Sequence, residues 1–254
     1  MLFKEIVFGP IHSRRLGVSL GINLLPSHSK LCNFNCIYCE CGWNTNDGKK
    51  VFNTRSDVKN ALEKKLIGMQ TSAKFPDSIT FSGNGEPTMH PEFSEIIDDT
   101  ISLRNKYAPT AKISVLSNAT MIGKPNIVAA LQKIDNAILK LDSGITETAV
   151  LINKPQFDYS INQVIEYIQP LKNKMVLQTM FLRGMYDGQQ IDNTTETEVA
   201  AWIDAIQKIN PREIMIYTID RKTPAGGLQK ISFDEMEKIA DHARELGYKV
   251  QTAK

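Results

Sequence analysis

The sequence predicts an α/β protein organised around a parallel sheet, and two observations carry that expectation. Short apolar runs rich in Ile, Val, Leu and Thr alternate along the chain with longer amphipathic runs, the order expected of strand–helix units with right-handed crossovers. Most of the short runs are apolar at nearly every position, as strands covered on both faces are. The 254 residues are 42% hydrophobic and 23% charged, ample for a full core. No low-complexity run, charge block or Pro/Gly/Ser linker divides them, so residues 1–254 are expected to form a single domain.

Taken in order, strands are expected at GVSLGINLL (17–25), DSITFS (77–82), AKISVLS (111–117), NAILKLD (136–142), KMVLQTMFL (174–182) and EIMIYTI (213–219). Helices are expected at 56–70, 91–107, 126–134, 159–171, 195–209 and 232–247. In the first helix Ser56 stands where a cap belongs, and Val58, Ala61, Leu62 and Leu66 fall on one face. Periodicity leaves closure open: a doubly wound sheet and a complete or partial barrel both fit. In either, functional residues gather where strands end and their loops begin.

No stretch approaches the roughly 18 consecutive apolar residues of a membrane span. The opening MLFKEIVFGPIHSRR lacks a charged segment followed by an apolar one. The expectation is a cytoplasmic protein with no membrane segment, where clustered thiols stay reduced and serve as ligands or catalysts. A net charge of +2 falls well short of the excess typical of a dedicated nucleic-acid binder.

All four cysteines lie in KLCNFNCIYCECGW (30–43), spaced Cys32-x3-Cys36-x2-Cys39-x-Cys41. Three thiolates on one tight loop suit three corners of a cubic [4Fe–4S] cluster, leaving one iron open to a small molecule. A fourth cysteine ligand would instead suit electron transfer. Structural zinc and unrelated thiols remain alternatives, although there is no second cysteine knuckle and His12, His28, His90 and His242 have no zinc-finger spacing.

The segment CNFNCIYC, with Tyr38 just before its last cysteine, resembles the cluster motif of the radical S-adenosylmethionine (radical SAM) superfamily. The resemblance implies that Cys32, Cys36 and Cys39 hold a [4Fe–4S] cluster whose open iron is chelated by SAM. It further implies reductive cleavage of SAM to a 5′-deoxyadenosyl radical that abstracts hydrogen from a substrate. An electron donor such as a flavodoxin or ferredoxin is then needed.

Later strand ends fit the same picture. Gly83, Asn84, Gly85 and Glu86, in GNGEP, resemble the family's glycine–glycine–glutamate–proline motif, which receives the SAM amino group. Two glycines also allow close backbone approach and positive φ. Ser117 and Asn118 end the third strand, where they can bond a ligand or, for Asn118, form an Asx-turn. Lys140 and Asp142 share one face of the fourth strand. They form either a structural ion pair or contacts to the SAM carboxylate and a hydroxyl. Gln178 is polar within an apolar strand, and Tyr217 can stack on adenine or simply pack. Arg14 and Arg15 can hold a phosphate or carboxylate, or form salt bridges.

Together with GPIHSRRLGVSLGINLLP, LKLD and YTIDR, these motifs resemble the branch containing the wyosine-forming tRNA enzymes, over nearly the whole chain. RNA is thus one substrate class beside peptides and small molecules. Because the motifs follow successive strands, one ligand reaches them all only if those ends converge. The expected fold is therefore a partial (β/α)6 TIM-like barrel of the radical SAM type. The competing functions are an iron–sulfur electron carrier using Cys41 as fourth ligand and a zinc-bearing RNA-binding module.

Overall fold

A computed structural model describes residues 2–13, 15–45, 51–72 and 75–253. The chain falls into two compact units. The first comprises Met1–Cys32, Asn44–Ser117 and Met121–Ala137, and the second Asn33–Trp43, Asn118–Thr120 and Ile138–Lys254.

The first unit opens with an antiparallel pair, β1 (Val7–Ser13) and β2 (Gly17–Ile22). There follow α1 (Arg55–Thr71), β3 (Ser78–Phe81), α2 (Phe93–Tyr107), β4 (Lys112–Ser117), α3 (Pro125–Gln132) and the first residues of β5 (Asn136–Lys140). β2, β3 and β4 are parallel neighbours, with Leu20 beside Ile79 and Ile79 beside Ile113. These three side chains are fully buried. β1 lies outside the expected strands because only Val7 and Phe8 of its residues are buried and it contains a proline, so it carries little period-2 signal.

The cap of α1 corrects one expectation. Thr54, not Ser56, caps the helix: its hydroxyl oxygen accepts from Asp57 N at 3.1 Å. Ser56 lies inside the first turn. The helix buries Val58, Leu62, Leu66 and Met69, leaving Ala61 only half-buried.

The second unit holds the rest of β5, then α4 (Thr146–Asn153), α5 (Ile161–Ile168) and a short 3₁₀ turn at Gln169–Leu171. It continues through β6 (Val176–Tyr186), β7 (Gln189–Asp192), α6 (Glu196–Ile209), β8 (Glu213–Thr218), β9 (Leu228–Lys230), α7 (Phe233–Glu245) and β10 (Val250–Thr252). β5, β6, β8 and β10 pair in that order, all parallel. α6 and α7 start at T-x-x-E and S-x-x-E sequences, where Thr195 accepts from Glu198 N at 3.3 Å and Ser232 from Glu235 N at 3.2 Å.

β6 outruns the parallel sheet and pairs antiparallel with β7 and β9. Asp187 and Gly188 turn the β6–β7 hairpin with φ of 52° and 73°, the pair of positive angles that a two-residue type I′ turn requires. All six expected strands and all six expected helices are present, and the fold class is α/β with a parallel sheet. Among the described residues, no helix is long and apolar enough to cross a membrane.

Candidate cluster and cofactor site

In the first unit, GNGEP follows β3. Glu86 is buried and caps a short 3₁₀ turn, Pro87–Met89. Its Oε1 accepts from Thr88 N (3.0 Å), the Thr88 hydroxyl (2.5 Å) and the Ser117 hydroxyl (2.9 Å). Ser117, at the end of β4, thus positions Glu86. Asn84 is fully buried and acts as a clamp. Its Oδ1 accepts from Phe3 N at 2.8 Å, while its Nδ2 donates to Phe3 O at 2.8 Å and Pro26 O at 2.7 Å.

The two glycines serve the chain itself. Gly83 and Gly85 have φ of +146° and +142°, and Leu31 bridges to Gly85 like a parallel strand residue. A Cβ on Gly85 would lie 1.9 Å from Leu31 O, and one on Gly83 would lie 2.6 Å from Asn23 Oδ1. The bare backbone at Gly85 therefore admits Leu31, the residue before Cys32. Cys32 O in turn accepts from Asn44 Nδ2 at 2.8 Å.

In the second unit, the loop from Asn33 to Trp43 is pinned to the end of α4. Asn35 N donates to Asn153 O (2.9 Å), Ile37 N to Ile152 O (3.0 Å), and Gln156 N to Asn33 O (3.0 Å). Cys39 N donates to Cys36 O at 3.1 Å and Gly42 N to Cys39 O at 2.9 Å, so two turns carry the last three cysteines. Cys36 is buried, whereas Cys32, Cys39 and Cys41 are partly exposed. Asn118 makes the Asx-turn: its Oδ1 accepts from Thr120 N (3.1 Å) and hydroxyl (2.7 Å), and its Nδ2 donates to Asn33 Oδ1 at 2.7 Å.

Strand register sets the remaining residues. Lys140 on β5, Gln178 on β6 and Met215 on β8 are cross-strand partners, so they share one face. Tyr217, two residues after Met215, falls on that same face. Thr179, on the opposite face of β6, accepts from the Trp202 indole of α6 at 2.9 Å.

Lys140 Nζ lies 2.8 Å from Asp142 Oδ2 and 3.1 Å from Cys36 Sγ, and 4.6 Å from the centre of the Tyr38 ring. Asp142 Oδ2 also accepts from the Tyr38 hydroxyl at 2.6 Å, and its Oδ1 accepts from Met180 N at 3.0 Å. Burial alone would lower the Lys140 pKa, but the Asp142 carboxylate and Cys36 override it and hold the ammonium charged. Burial pushes the Cys36 thiol up, and Lys140 pulls against that shift. Burial, then Asp142, raises Tyr38 well above the usual phenol range.

Several supporting residues escaped the sequence reading. Asn193 Nδ2 donates to Asp142 O (2.7 Å) and Met180 O (2.8 Å), which fixes the loop after β5. Glu198 accepts from Ser143 (2.7 Å) and Thr148 (2.5 Å). Glu198 does have a signal in sequence, the T-x-x-E start of α6, but that signal speaks of a cap rather than of a loop packed against the helix. Arg14 lies outside the described residues. Arg15 is described, and its backbone N donates to the Ser13 hydroxyl at 3.3 Å.

Residues 27–198, which span the cysteine run, GNGEP, Lys140, Asp142 and Gln178, match the radical SAM superfamily. The chain belongs to that superfamily. It is 31% identical over 244 residues to a UPF0026 protein of Helicobacter pylori, covering 92% of this chain and 72% of that protein. It is 30% identical over 238 residues to the GTPase Obg of Brachyspira hyodysenteriae, covering 91% of this chain but only 32% of that much longer protein.

The fold is that of the crystal structure of a radical SAM methyltransferase from Sphaerobacter thermophilus. The TM-score is 0.68 at 11% identity, over 92% of this chain and 65% of that one. Archaeal TYW1 shares the fold with a TM-score of 0.54 at 15% identity, over 89% of this chain and 71% of that one. Both likenesses match the partial-barrel expectation for this radical SAM chain.

Members of the superfamily bind a [4Fe–4S] cluster and SAM, and two observations test whether these residues fit such groups. The run supplies four thiols, the donor type that iron–sulfur clusters take, although among the described residues no three Cys, His, Asp or Glu are gathered as a metal site. Gln178 is 8% exposed and its Nε2 is buried without a hydrogen-bond partner. A buried donor left unmade costs about 1–3 kcal/mol, so this one is suited to a ligand's acceptor. The residues fit.

Proposed function

We propose that this chain is a radical SAM enzyme in which Cys32, Cys36 and Cys39 hold a [4Fe–4S] cluster and Cys41 does not. The buried Gln178 amide with no acceptor, in register with Lys140, carries the reading: a strand face within the superfamily match retains a donor for a ligand. Held by those three cysteines, a [4Fe–4S] cluster would supply the electron for reductive cleavage of SAM, and the cleaved SAM would supply the radical that takes hydrogen from a substrate.

The chain's own residues bind and aim. Glu86, held by Ser117 and Thr88, receives the SAM amino group as the family motif implies. Gly83, Asn84 and Gly85 set the course of that loop. In the second unit Gln178 donates to a SAM acceptor and Tyr217 faces the adenine, while Asn118 fixes the loop around Asn33. The motifs' resemblance to the wyosine-forming tRNA enzymes supports RNA as one candidate substrate class. The partner supplying electrons is of the flavodoxin or ferredoxin type, in the cytoplasm.

Anaerobic purification and reconstitution test this. The expected result is a brown protein with four irons per chain that cleaves SAM to 5′-deoxyadenosine when reduced. Zinc in place of iron, or four irons with no cleavage, would overturn the reading in favour of the RNA-binding module or the electron carrier respectively. Incubation with RNA, peptide and small-molecule pools then identifies the substrate by mass change.

A further inference from the structure

Lys140 has a family-like place for the SAM carboxylate, yet its geometry is directed elsewhere. An ammonium has three donors. Here one meets Asp142 Oδ2 at 2.8 Å and another meets Cys36 Sγ at 3.1 Å. The Tyr38 ring centre, at 4.6 Å, and the Phe34 ring centre, at 5.7 Å, flank the charge. The Lys140 side chain is only 13% exposed and that of Asp142 is 0% exposed. Asp142 is engaged at both oxygens, by Met180 N on one and by Tyr38 and Lys140 on the other.

We propose that Lys140 is a positioning residue for the cluster and not a ligand of SAM: its ammonium donates to the Cys36 sulfur and raises the reduction potential of the cluster bound there. Asp142 and Tyr38 are the frame that aims it.

The physical reason is electrostatic. Reduction adds negative charge to a cluster and its thiolates, and a hydrogen bond to a ligating sulfur stabilises that charge. A buried ammonium is the strongest such donor, because its charge is poorly screened by water. Asp142 offsets part of the charge, but the ammonium still donates directly to the sulfur, at 3.1 Å. The same pair explains how a lysine is tolerated on a buried strand face: two hydrogen-bond partners and two aromatic rings offset its desolvation cost. Cys36 differs from its neighbours in being the buried cysteine of the run, where such a donor acts with the least competition from water.

This inference rests on the cluster reading above, and the experiment separates the two. Wild-type protein is first shown to hold four irons and to cleave SAM; if it does not, both proposals fail together. Wild-type protein labelled with ¹⁵N-lysine is then reduced without SAM and measured by pulsed electron paramagnetic resonance. A ¹⁵N coupling to the cluster is expected, and Lys140→Arg should abolish it. Potentials are measured in parallel by titration. Lys140→Met should disfavour reduction at least tenfold in the one-electron equilibrium, about 59 mV, with SAM affinity within threefold of wild type. Lys140→Arg, which keeps a charged donor, should restore most of the potential.

A missing ¹⁵N coupling in the wild type overturns the proposal, as does a tenfold loss of SAM affinity in Lys140→Met with the potential unmoved. Should Lys140→Met fail to fold, the wild-type labelling experiment decides alone.

Discussion

Within the cysteine run, identical side chains meet different surroundings. Cys36 is buried against Lys140 and Asn153, whereas Cys41 sits within the turn from Cys39 to Gly42, partly exposed. Cys41→Ala should therefore retain four irons and most SAM cleavage, while alanine at Cys32, Cys36 or Cys39 should abolish both; iron assay and product chromatography check this. Loss of the cluster in Cys41→Ala would point to an electron carrier. A second residue-scale prediction concerns Gly85. Its φ of +142° and the 1.9 Å approach of a built Cβ to Leu31 O leave no room for a side chain. Gly85→Ala should displace Leu31 and lower iron loading several-fold, with the sulfhydryls still intact by thiol titration. The glycines were legible as loop glycines, but their reason was not. Sequence pointed to a ligand's approach, whereas the structure shows the chain's own backbone, brought in from 54 positions away in sequence (85 less 31).

One scale up, the 3₁₀ turn after β3 shows how an element links to acid stability. His90 ends that turn, with Nε2 donating to Asn53 O at 2.8 Å and Nδ1 accepting from Glu92 N at 3.1 Å. Nδ1 must be unprotonated to accept, and burial lowers the His90 pKa below its usual value of 6.5. The unfolded chain therefore takes up a proton at a pH where the folded chain does not. The stability His90 contributes is complete above pH 6.5 and declines as pH falls toward the lowered folded value. Urea unfolding between pH 7.5 and about 5, above the carboxylate range, should show falling stability, and His90→Gln should flatten that slope. A slope unchanged in His90→Gln would assign the effect elsewhere. This turn was not expected, because three residues carry no periodicity, and the eight-residue α4 and three-residue β10 were missed as well. The other helices and parallel strands of the described residues were expected from their apolar patterns. β7 and β9 were missed for a related reason. They are four and three residues long and largely exposed, apart from Ile191 of β7, and only the Asp187–Gly188 turn signals the hairpin.

For the whole molecule, stability rests on buried side chains joining sheet to helix within each unit. In the second unit Trp202 is 1% exposed, meets Phe181 edge-on at 5.2 Å between centroids, and donates its indole N–H to Thr179. Trp202→Ala should cost about 3–5 kcal/mol, read as a lower denaturant midpoint at constant slope. A loss under about 1 kcal/mol would mean that neighbouring side chains refill the space.

By itself the sequence determined the α/β class, most of the parallel strands, the superfamily and the cysteine run on one loop. Each of these is written in local terms, as hydrophobic period, strand-end chemistry or the spacing of one loop. What only the tertiary structure decided is which polar groups answer one another. Asn84 clamps Phe3 and Pro26, Asn118 bonds Asn33, Glu198 holds Ser143, and Lys140 meets both Asp142 and Cys36. A buried polar atom must find a partner, but the partner lies wherever the fold brings another chain segment close. Nothing in the spacing from residue 36 to residue 140 records that their side chains end 3.1 Å apart.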